Sequence, residues 1–360
     1  VRGIHVFAES NKTGRRDSLS KGIAVLETDI LTWSRTVFDD ALRAAVRSLP
    51  PSFARVAGYH FGWLDAAGSP AEANQGRAIR PTLALLSAEA VRGVADDAIP
   101  AAVAVELVHN FSLLHDDVLD GDETRRHRPT AWTVFGTGPA ILTGDALLTL
   151  AFDVLATGGG PLAMPAMREL GAAVLQLQEG QNADVSFERR ADVDLHECVS
   201  MSNGKTGALL GCACAIGAHF GGGTADQVSH LRQFGERLGL AFQLVDDMLG
   251  IWGDPEITGK PVFSDLLAHK KSLPVVVALN SGTSAGRQLA ELYCRDESLS
   301  DADLAFAADL VDLAGGRTWA RIQADQQLAR AMHHLSAVDA ESHAATELAA
   351  LARLATFRDR

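Results

Sequence analysis

The stretch LLHDDVLDGDETRRHRPT, residues 113–130, packs five acids between Asp116 and Glu123 and follows them with Arg125, Arg126 and Arg128. From about residue 97 up to it, apolar residues recur at three- and four-residue spacing, the period of an amphipathic helix. On that helix, spanning about 97–121, Asp116, Asp117 and Asp120 crowd the last turn. Like charges so placed cost roughly 0.2–0.5 kcal/mol per pair, and the helix C-terminus is already the negative end of the macrodipole. A solvated helix end would interleave lysines, and residues 113–120 contain none. A hard divalent cation resolves the conflict, because Mg²⁺ takes one or two carboxylates and fills its other positions with water and phosphate oxygens. A calcium loop does not fit: counted from Asp116, its third position is Val118 and its twelfth is His127.

A second stretch, FQLVDDMLGIWGDPEITGKP (242–261), supplies the other half of such a site. Asp246, Gly250 and Asp254 stand four apart, which predicts one stripe of a helix over about 224–250, with Asp247 beside it. Gly250 is expected to leave an opening between the carboxylates. Lys260 and Lys270 trail this cluster as Arg125 and Arg126 trail the first. Two acid rows on separate long helices, each followed by cations, describe a chamber for metal ions and phosphates.

Further cations fit the same chamber. GRAIRPT (76–82) predicts a helix start with Arg77 and Arg80 on adjacent turns of one face. Arginine suits phosphate because its planar fork binds two oxygens at once and keeps its charge. His109 lies seven residues before Asp116, two turns along the same face. GKTGALLG (204–211) lacks the spacing of a Walker loop; Lys205 and Thr206 are expected to open a small-residue helix facing a bundle cavity.

Composition narrows the rest. With 47% hydrophobic residues, few Tyr or Trp and short β-branched runs, helix is expected throughout, as one antiparallel α-bundle over 29–360 after a disordered tail at 1–28. A net charge of −13 argues against nucleic acid, which rewards a basic face. The Arg15–Arg16 pair has no apolar run behind it, and the small apolar run 207–218 is too short to span a bilayer. A cytoplasmic protein with no membrane span is expected, its four cysteines buried and reduced.

Together these residues resemble the trans-isoprenyl diphosphate synthases, the polyprenyl synthetase family, over roughly residues 70–275. The first aspartate-rich motif of that family, DDxxD, matches Asp116, Asp117 and Asp120, and its arginine pair Arg125 and Arg126. The second, DDxxGxxGD, matches Asp246, Asp247, Gly250 and Asp254. GKxxRP appears as Gly76, Arg77, Arg80 and Pro81, with arginine in place of the usual lysine. Lys205–Thr206, Gln181 with Asp184, and Phe242–Gln243 match three further motifs.

The resemblance implies an isoprenoid-synthase-type helical bundle around a central cavity. It also implies condensation of isopentenyl diphosphate with an allylic diphosphate: dimethylallyl, geranyl or farnesyl. Three Mg²⁺ ions, or Mn²⁺ in their place, would be held by the acid rows and assist departure of the allylic diphosphate, with Arg125, Lys205, Lys260 and Lys270 around it. The diphosphate of isopentenyl diphosphate would rest on Arg77, Arg80, His109 and Arg126. Thr206 and Gln243 would face the allylic cation. Phe111, five residues before Asp116, and Ser112, four before, imply a C20 product, geranylgeranyl diphosphate. A homodimer is expected from the family. A class I terpene cyclase would lack a second diphosphate site, and a partner subunit of a heteromeric synthase would have lost metal carboxylates; Arg77–Arg80 and the intact acid rows weigh against both.

Overall fold

The computed structural model describes residues 29–190, 192–255, 261–295, 299–339 and 342–356. The expected tail at 1–28 and Lys260 lie outside these residues. The chain forms α1 (29–47), α2 (Pro51–His60), α3 (Ile79–Ala90), α4 (Ile99–Leu119), α5 (Ala131–Phe135), α6 (Thr137–Gly158), α7 (Ala163–Phe187), α8 (Leu195–Ser202), α9 (Ala208–Phe220) and α10 (Ala225–Trp252). A C-terminal set of helices follows, the longest being Gly316–Asp339. The departures from an all-α fold among the described residues are a small hairpin, β1 (Thr124–Arg125) paired with β2 (Arg128–Pro129), and an isolated antiparallel bridge between Leu64 and Pro70.

The two long predicted helices are α4 and α10. Pro100 opens α4, where its missing N–H costs nothing. A capping box opens α10: the Thr224 hydroxyl accepts from the Gln227 N–H at 3.3 Å, and the Gln227 amide oxygen accepts from the Thr224 N–H at 3.0 Å. The small-residue helix α9 is buried from Ala208 to Ala218, as a helix apolar on every side must be. It packs against α3, α4, α7 and α10, while α10 packs most extensively along Gly316–Asp339, and α4 along α6. Leu107 and Leu114 of α4 are fully buried, each worth about 1.5–3 kcal/mol in apolar surface removed from water. That burial fixes which face of α4 is left to carry the acids.

Among the described residues, two helices are long and apolar enough to cross a membrane, α4 with the turn before it (95–119) and α6. Most of α4 is core and carries the buried Glu106. Most of α6 is not buried within this chain.

Candidate active site

The first acid row behaves as crowding predicts. Asp120 caps α4, its N–H donating to the Asp116 carbonyl at 2.8 Å. Burial pushes the Asp116 carboxyl up to about 6, with Asp120 and Asp184 adding to the shift and Lys205 and Arg125 opposing it. Asp117 turns the other way. Its Oδ1 accepts from Arg125 Nε at 2.5 Å, its Oδ2 is buried without a protein partner, and burial drives its carboxyl to about 6. The structure thus gives Asp117 the work of holding Arg125, leaving Asp116 and Asp120 to face the chamber.

The second row departs from the expected stripe. α10 ends at Trp252 and Gly253 turns extended, so Asp254 is exposed beyond the helix instead of one turn past Gly250 on it. The space at Gly250 is no opening either: a Cβ there would run into the Asp265 carboxylate. Asp247 is buried, its oxygens accepting from Gln243 Nε2 at 2.7 Å and from the Leu273 N–H at 2.9 Å. Burial pushes its carboxyl up to about 7.

The two rows share their cations. Burial alone would lower Lys270, yet Asp265, Asp184, Asp247 and Asp120 around it raise its pKa. Those four acids come from four different segments. Lys205 Nζ donates to Asp184 Oδ2 at 2.6 Å, and Lys205 with Lys270 holds Asp184 below the ordinary carboxylate range despite its burial. Arg80 feels both Asp116 and Asp246. Contrary to the expectation that they open the small-residue helix, Lys205 and Thr206 lie in a π-helical turn, Asn203–Gly207, inside one continuous helix running from α8 to α9. Such a turn widens the helix by one residue and commonly marks a functional site.

The cationic wall is assembled from three places. Arg77 is not in a helix, because α3 begins at Ile79 after Gly76 and Ala78 adopt positive φ of 78° and 55°. Gly76 is required there. Besides its φ, a Cβ would sit 2.5 Å from an Arg126 guanidinium nitrogen, so glycine lets the hairpin arginine lie against the loop. Arg35 of α1 clamps the loop by donating to the Gly76 carbonyl at 2.7 Å and to Gln75 Oε1 at 3.2 Å. Arg80 NH1 donates to His109 Nε2 at 3.2 Å, which places the imidazole proton on Nδ1. Burial lowers His109 well below its usual value, and the neighbouring arginines lower it further. It stands neutral among cations.

A polar relay crosses the chamber. Thr206 Oγ1 donates to Gln243 Oε1 at 2.7 Å, and Gln243 Nε2 donates to Asp247. When ionised, Asp247 can only accept, and in that state it fixes the amide orientation and Gln243 uses up the Thr206 proton. What remains on Thr206 and on Gln243 Oε1 is lone pairs, negative dipoles suited to a cation.

A sequence model of the polyprenyl synthetase family matches residues 62–311. The chain belongs to the polyprenyl synthetase family. Its curated relatives include a (2E,6E)-farnesyl diphosphate synthase of Mycobacterium tuberculosis, 44% identical over 90% of this chain and 91% of that protein. A geranylgeranyl diphosphate synthase of the same organism is also 44% identical, over 84% and 87%. Among solved structures, the polyprenyl synthetase of Streptomyces coelicolor superposes with a TM-score of 0.87 at 48% identity, covering 91% of this chain and 99% of that one. This polyprenyl synthetase is therefore a trans-prenyl diphosphate synthase, a transferase.

The synthetase also contains site residues that the motifs do not name. His60 of α2 is half-buried beside Arg126, Arg125 and Arg128, and desolvation with those cations lowers its pKa to about 3. A lone histidine on a helix carries no sequence signal for this. Asp265 reaches the second row from outside its motif. Glu106 and Asn110 share the face of α4 that bears His109, at helical spacing, a signal that was there to be used. The predicted length-determining residues sit as one layer. Phe111 is buried with its ring centroid 4.8 Å from that of His115 and its edge toward Gly144 of α6, while the Ser112 hydroxyl donates to the His109 carbonyl at 2.8 Å.

Proposed function

We propose that this polyprenyl synthetase condenses isopentenyl diphosphate with an allylic diphosphate at the shared chamber, with Mg²⁺ as its metal. One observation carries the reading. Acids of both rows raise the Lys270 pKa, and Asp116 and Asp246 both stabilise the charged Arg80, which supports an anion site and carboxylates in a single compartment. The donor set fits a hard cation: carboxylate oxygens from Asp116, Asp120 and Asp246, and a nearby thiol, Cys198, that burial keeps protonated. Among the described residues no closed cage of three ligands exists, as suits an ion that completes its shell with substrate phosphate. Magnesium bound there supplies positive charge to the departing diphosphate.

The chain's own residues do the rest. Arg125, Lys205 and Lys270 hold fixed charge beside that leaving group, while Arg77, Arg80 and Arg126 hold the second diphosphate. Thr206 and Gln243 turn oxygen lone pairs toward the allylic carbon as it becomes positive. The buried apolar layer below the first row excludes water that would quench the cation as an alcohol.

For product length, Phe111 supports a C20 limit: its ring closes the space between α4 and α6 less than two turns below Asp116. Relatives named for C15 and for C20 products are both 44% identical, the former over more of this chain, so farnesyl diphosphate is the alternative. The test incubates the purified chain with Mg²⁺, labelled isopentenyl diphosphate and C5, C10 or C15 primers in turn. Geranylgeranyl diphosphate from every primer is expected, with longer products from Phe111→Ala. A product that stops at C15, or one unchanged by the substitution, removes Phe111 as the floor. No turnover without a partner chain would remove the reading itself.

Homodimerisation belongs to the same proposal. Ile141 and Leu142 of α6 and Met164 and Leu175 of α7 are exposed large hydrophobics, on a pair of helices that pack together. A second copy of the chain covers them.

A further inference from the structure

Arg77, proposed to hold isopentenyl diphosphate, is delivered by residues 71–78, which form neither helix nor strand. The front of this loop is tied to the chain after α2 by backbone bonds, Ala71 N–H to the Trp63 carbonyl at 2.9 Å and Ala73 N–H to the Gly62 carbonyl at 3.1 Å. Its end is gripped by α1. Arg35 donates to the Gly76 carbonyl at 2.7 Å, the Gln75 carbonyl at 3.4 Å and Gln75 Oε1 at 3.2 Å. The Gly76 carbonyl and the Arg77 N–H share one peptide plane, so holding the oxygen sets the direction in which Arg77 leaves the loop. On the other side of Arg77, the Thr82 hydroxyl donates to the Ala78 carbonyl at 2.8 Å and accepts from Ser34 of α1 at 2.7 Å. Ala78, with its φ of 55°, keeps such a conformation only where its surroundings impose it. Neighbouring residues of α1 thus hold both shoulders of the turn that presents Arg77. Arg126 rests against the same turn, in the space that a Cβ at Gly76 would fill.

The grip is itself braced. Arg35, Asp39 and Arg43 stand four apart on one stripe of α1. Asp39 Oδ1 accepts from Arg35 NH1 at 3.3 Å, and the Arg43 guanidinium lies 4.5 Å over the Trp63 ring. Trp63 Nε1 donates to the same Gln75 Oε1 at 3.2 Å, so that oxygen takes two donors, its full capacity. Each terminal nitrogen of Arg35 makes two bonds to protein, one for each of its hydrogens. That leaves no terminal donor for a phosphate.

We infer that Arg35 is a positioning residue of the isopentenyl diphosphate site, acting through the Gly76 peptide on Arg77 and Arg126 and not on the substrate itself. Helix α1 lies before residues 62–311, which the family model matches, and no aspartate or arginine motif includes it. Ordering the loop before substrate arrives removes an entropic cost that binding would otherwise carry. None of these contacts involves the acid rows, so the allylic diphosphate should not sense their loss.

This rests on the assignment of Arg77 and Arg126 to isopentenyl diphosphate, and the experiment separates the two. Steady-state kinetics are measured on the full chain with each substrate varied in turn, for Arg35→Met, Arg35→Lys, Gln75→Leu and Arg77→Gln. Arg35→Met keeps an unbranched stem and removes the fork; it should raise KM for isopentenyl diphosphate about tenfold, the factor that one good hydrogen bond from a charged donor carries. Its KM for the allylic diphosphate and its kcat at saturation should stay within about threefold of the parent. Arg35→Lys keeps the charge without the fork, and its KM for isopentenyl diphosphate should stay raised. Gln75→Leu removes the acceptor shared by Arg35 and Trp63 and should give the same split at about fivefold; it decides the matter should Arg35→Met fold poorly. A parent-like KM for isopentenyl diphosphate in Arg35→Met or Arg35→Lys, alongside a raised one in Arg77→Gln, overturns the role of Arg35 and leaves the site assignment standing. So does a loss spread equally over both substrates and kcat, the mark of a merely structural contact. If Arg77→Gln itself leaves that KM unmoved, the assignment fails and the inference with it.

Discussion

At the scale of single residues, the second aspartate of each motif is the instructive case. Motif spacing groups Asp117 and Asp247 with their neighbours as carboxylates of the same kind, and helix geometry cannot separate adjacent positions by task. The structure does so through partners: Arg125 for Asp117, and Gln243 with the Leu273 N–H for Asp247. The relay makes a sharp prediction. In Asp247→Asn the side-chain oxygen must still accept from the Leu273 N–H, so the new NH₂ faces Gln243. The Gln243 amide must then turn over and present its own NH₂ to Thr206. The lone pairs that faced the allylic carbon become donors, and the site loses negative dipoles where positive charge develops. A fall in kcat on the order of 100-fold is expected, with both KM values within about threefold, as for removal of one preorganised dipole at a charged transition state. Single-turnover rates measured with saturating substrates check this; a kcat within twofold of the parent would show that amide orientation is irrelevant to the reaction.

At the scale of elements, the helices that carry the acids were readable from their apolar period, and the structure adds Pro100 and the Thr224–Gln227 box, local signals that agree with it at the starts of α4 and α10. The segments that carry the cations were not, because their shapes are set by contacts distant in sequence. Arg77 falls outside α3 only because Gly76 and Ala78 turn left-handed to meet Arg126 and Arg35, and no helix propensity encodes that meeting. The π turn at Lys205 depends on packing against α7 and α10, and Asp254 leaves its stripe because Gly253 ends the helix one residue early. The hairpin shows how such a segment is held. Its turn residues Arg126 and His127 have φ of 53° and 62°, conformations that cost non-glycine residues about 1–2 kcal/mol each. Arg128 offsets this by donating to the carbonyls of Tyr59 at 3.3 Å and Leu64 at 3.2 Å, while its guanidinium lies 4.4 Å over the Tyr59 ring. Tyr59 closes the clamp by donating to the Pro129 carbonyl at 2.8 Å. Lysine's compact ammonium lacks the planar fork that reaches both carbonyls while stacking on the Tyr59 ring. Arg128→Lys should therefore lower stability by about 1–3 kcal/mol in urea unfolding and raise KM for isopentenyl diphosphate several-fold through displacement of Arg126. Equal stability and KM in the variant would show that the hairpin holds its shape without the clamp.

At the scale of the whole molecule, the distribution of apolar surface separates the two longest apolar helices. α4 spends its hydrophobic faces on the core, and the acids at its end face the chamber; α6 packs one face on α4 and leaves the other outward. A chain with a net charge of −13 has ample charged residues to cover an outward helix, yet α6 carries Asp145 and Asp153 and no lysine or arginine. Composition could announce α6 as apolar but could not say whether core, membrane or a second chain covers it. The exposed Ile141 and Leu142, with Met164 and Leu175 on the neighbouring α7, support the proposed second chain, since a two-fold dimer covers the same apolar patch on both copies at once. The consequence reaches the active site, because Gly144 on the inner face of α6 abuts His115 and Phe111 of α4. Leu142→Arg combined with Leu175→Arg places two unpaired charges in that interface, which a stable dimer of ordinary size cannot bury. Light scattering after gel filtration should find two 38.1-kDa chains in the parent particle and one in the variant. With α6 no longer braced from outside, the layer holding Phe111 loosens, so the variant should also release a broader range of product lengths. A parent that runs as a single chain, or a variant that stays paired, would assign this apolar face to some other contact.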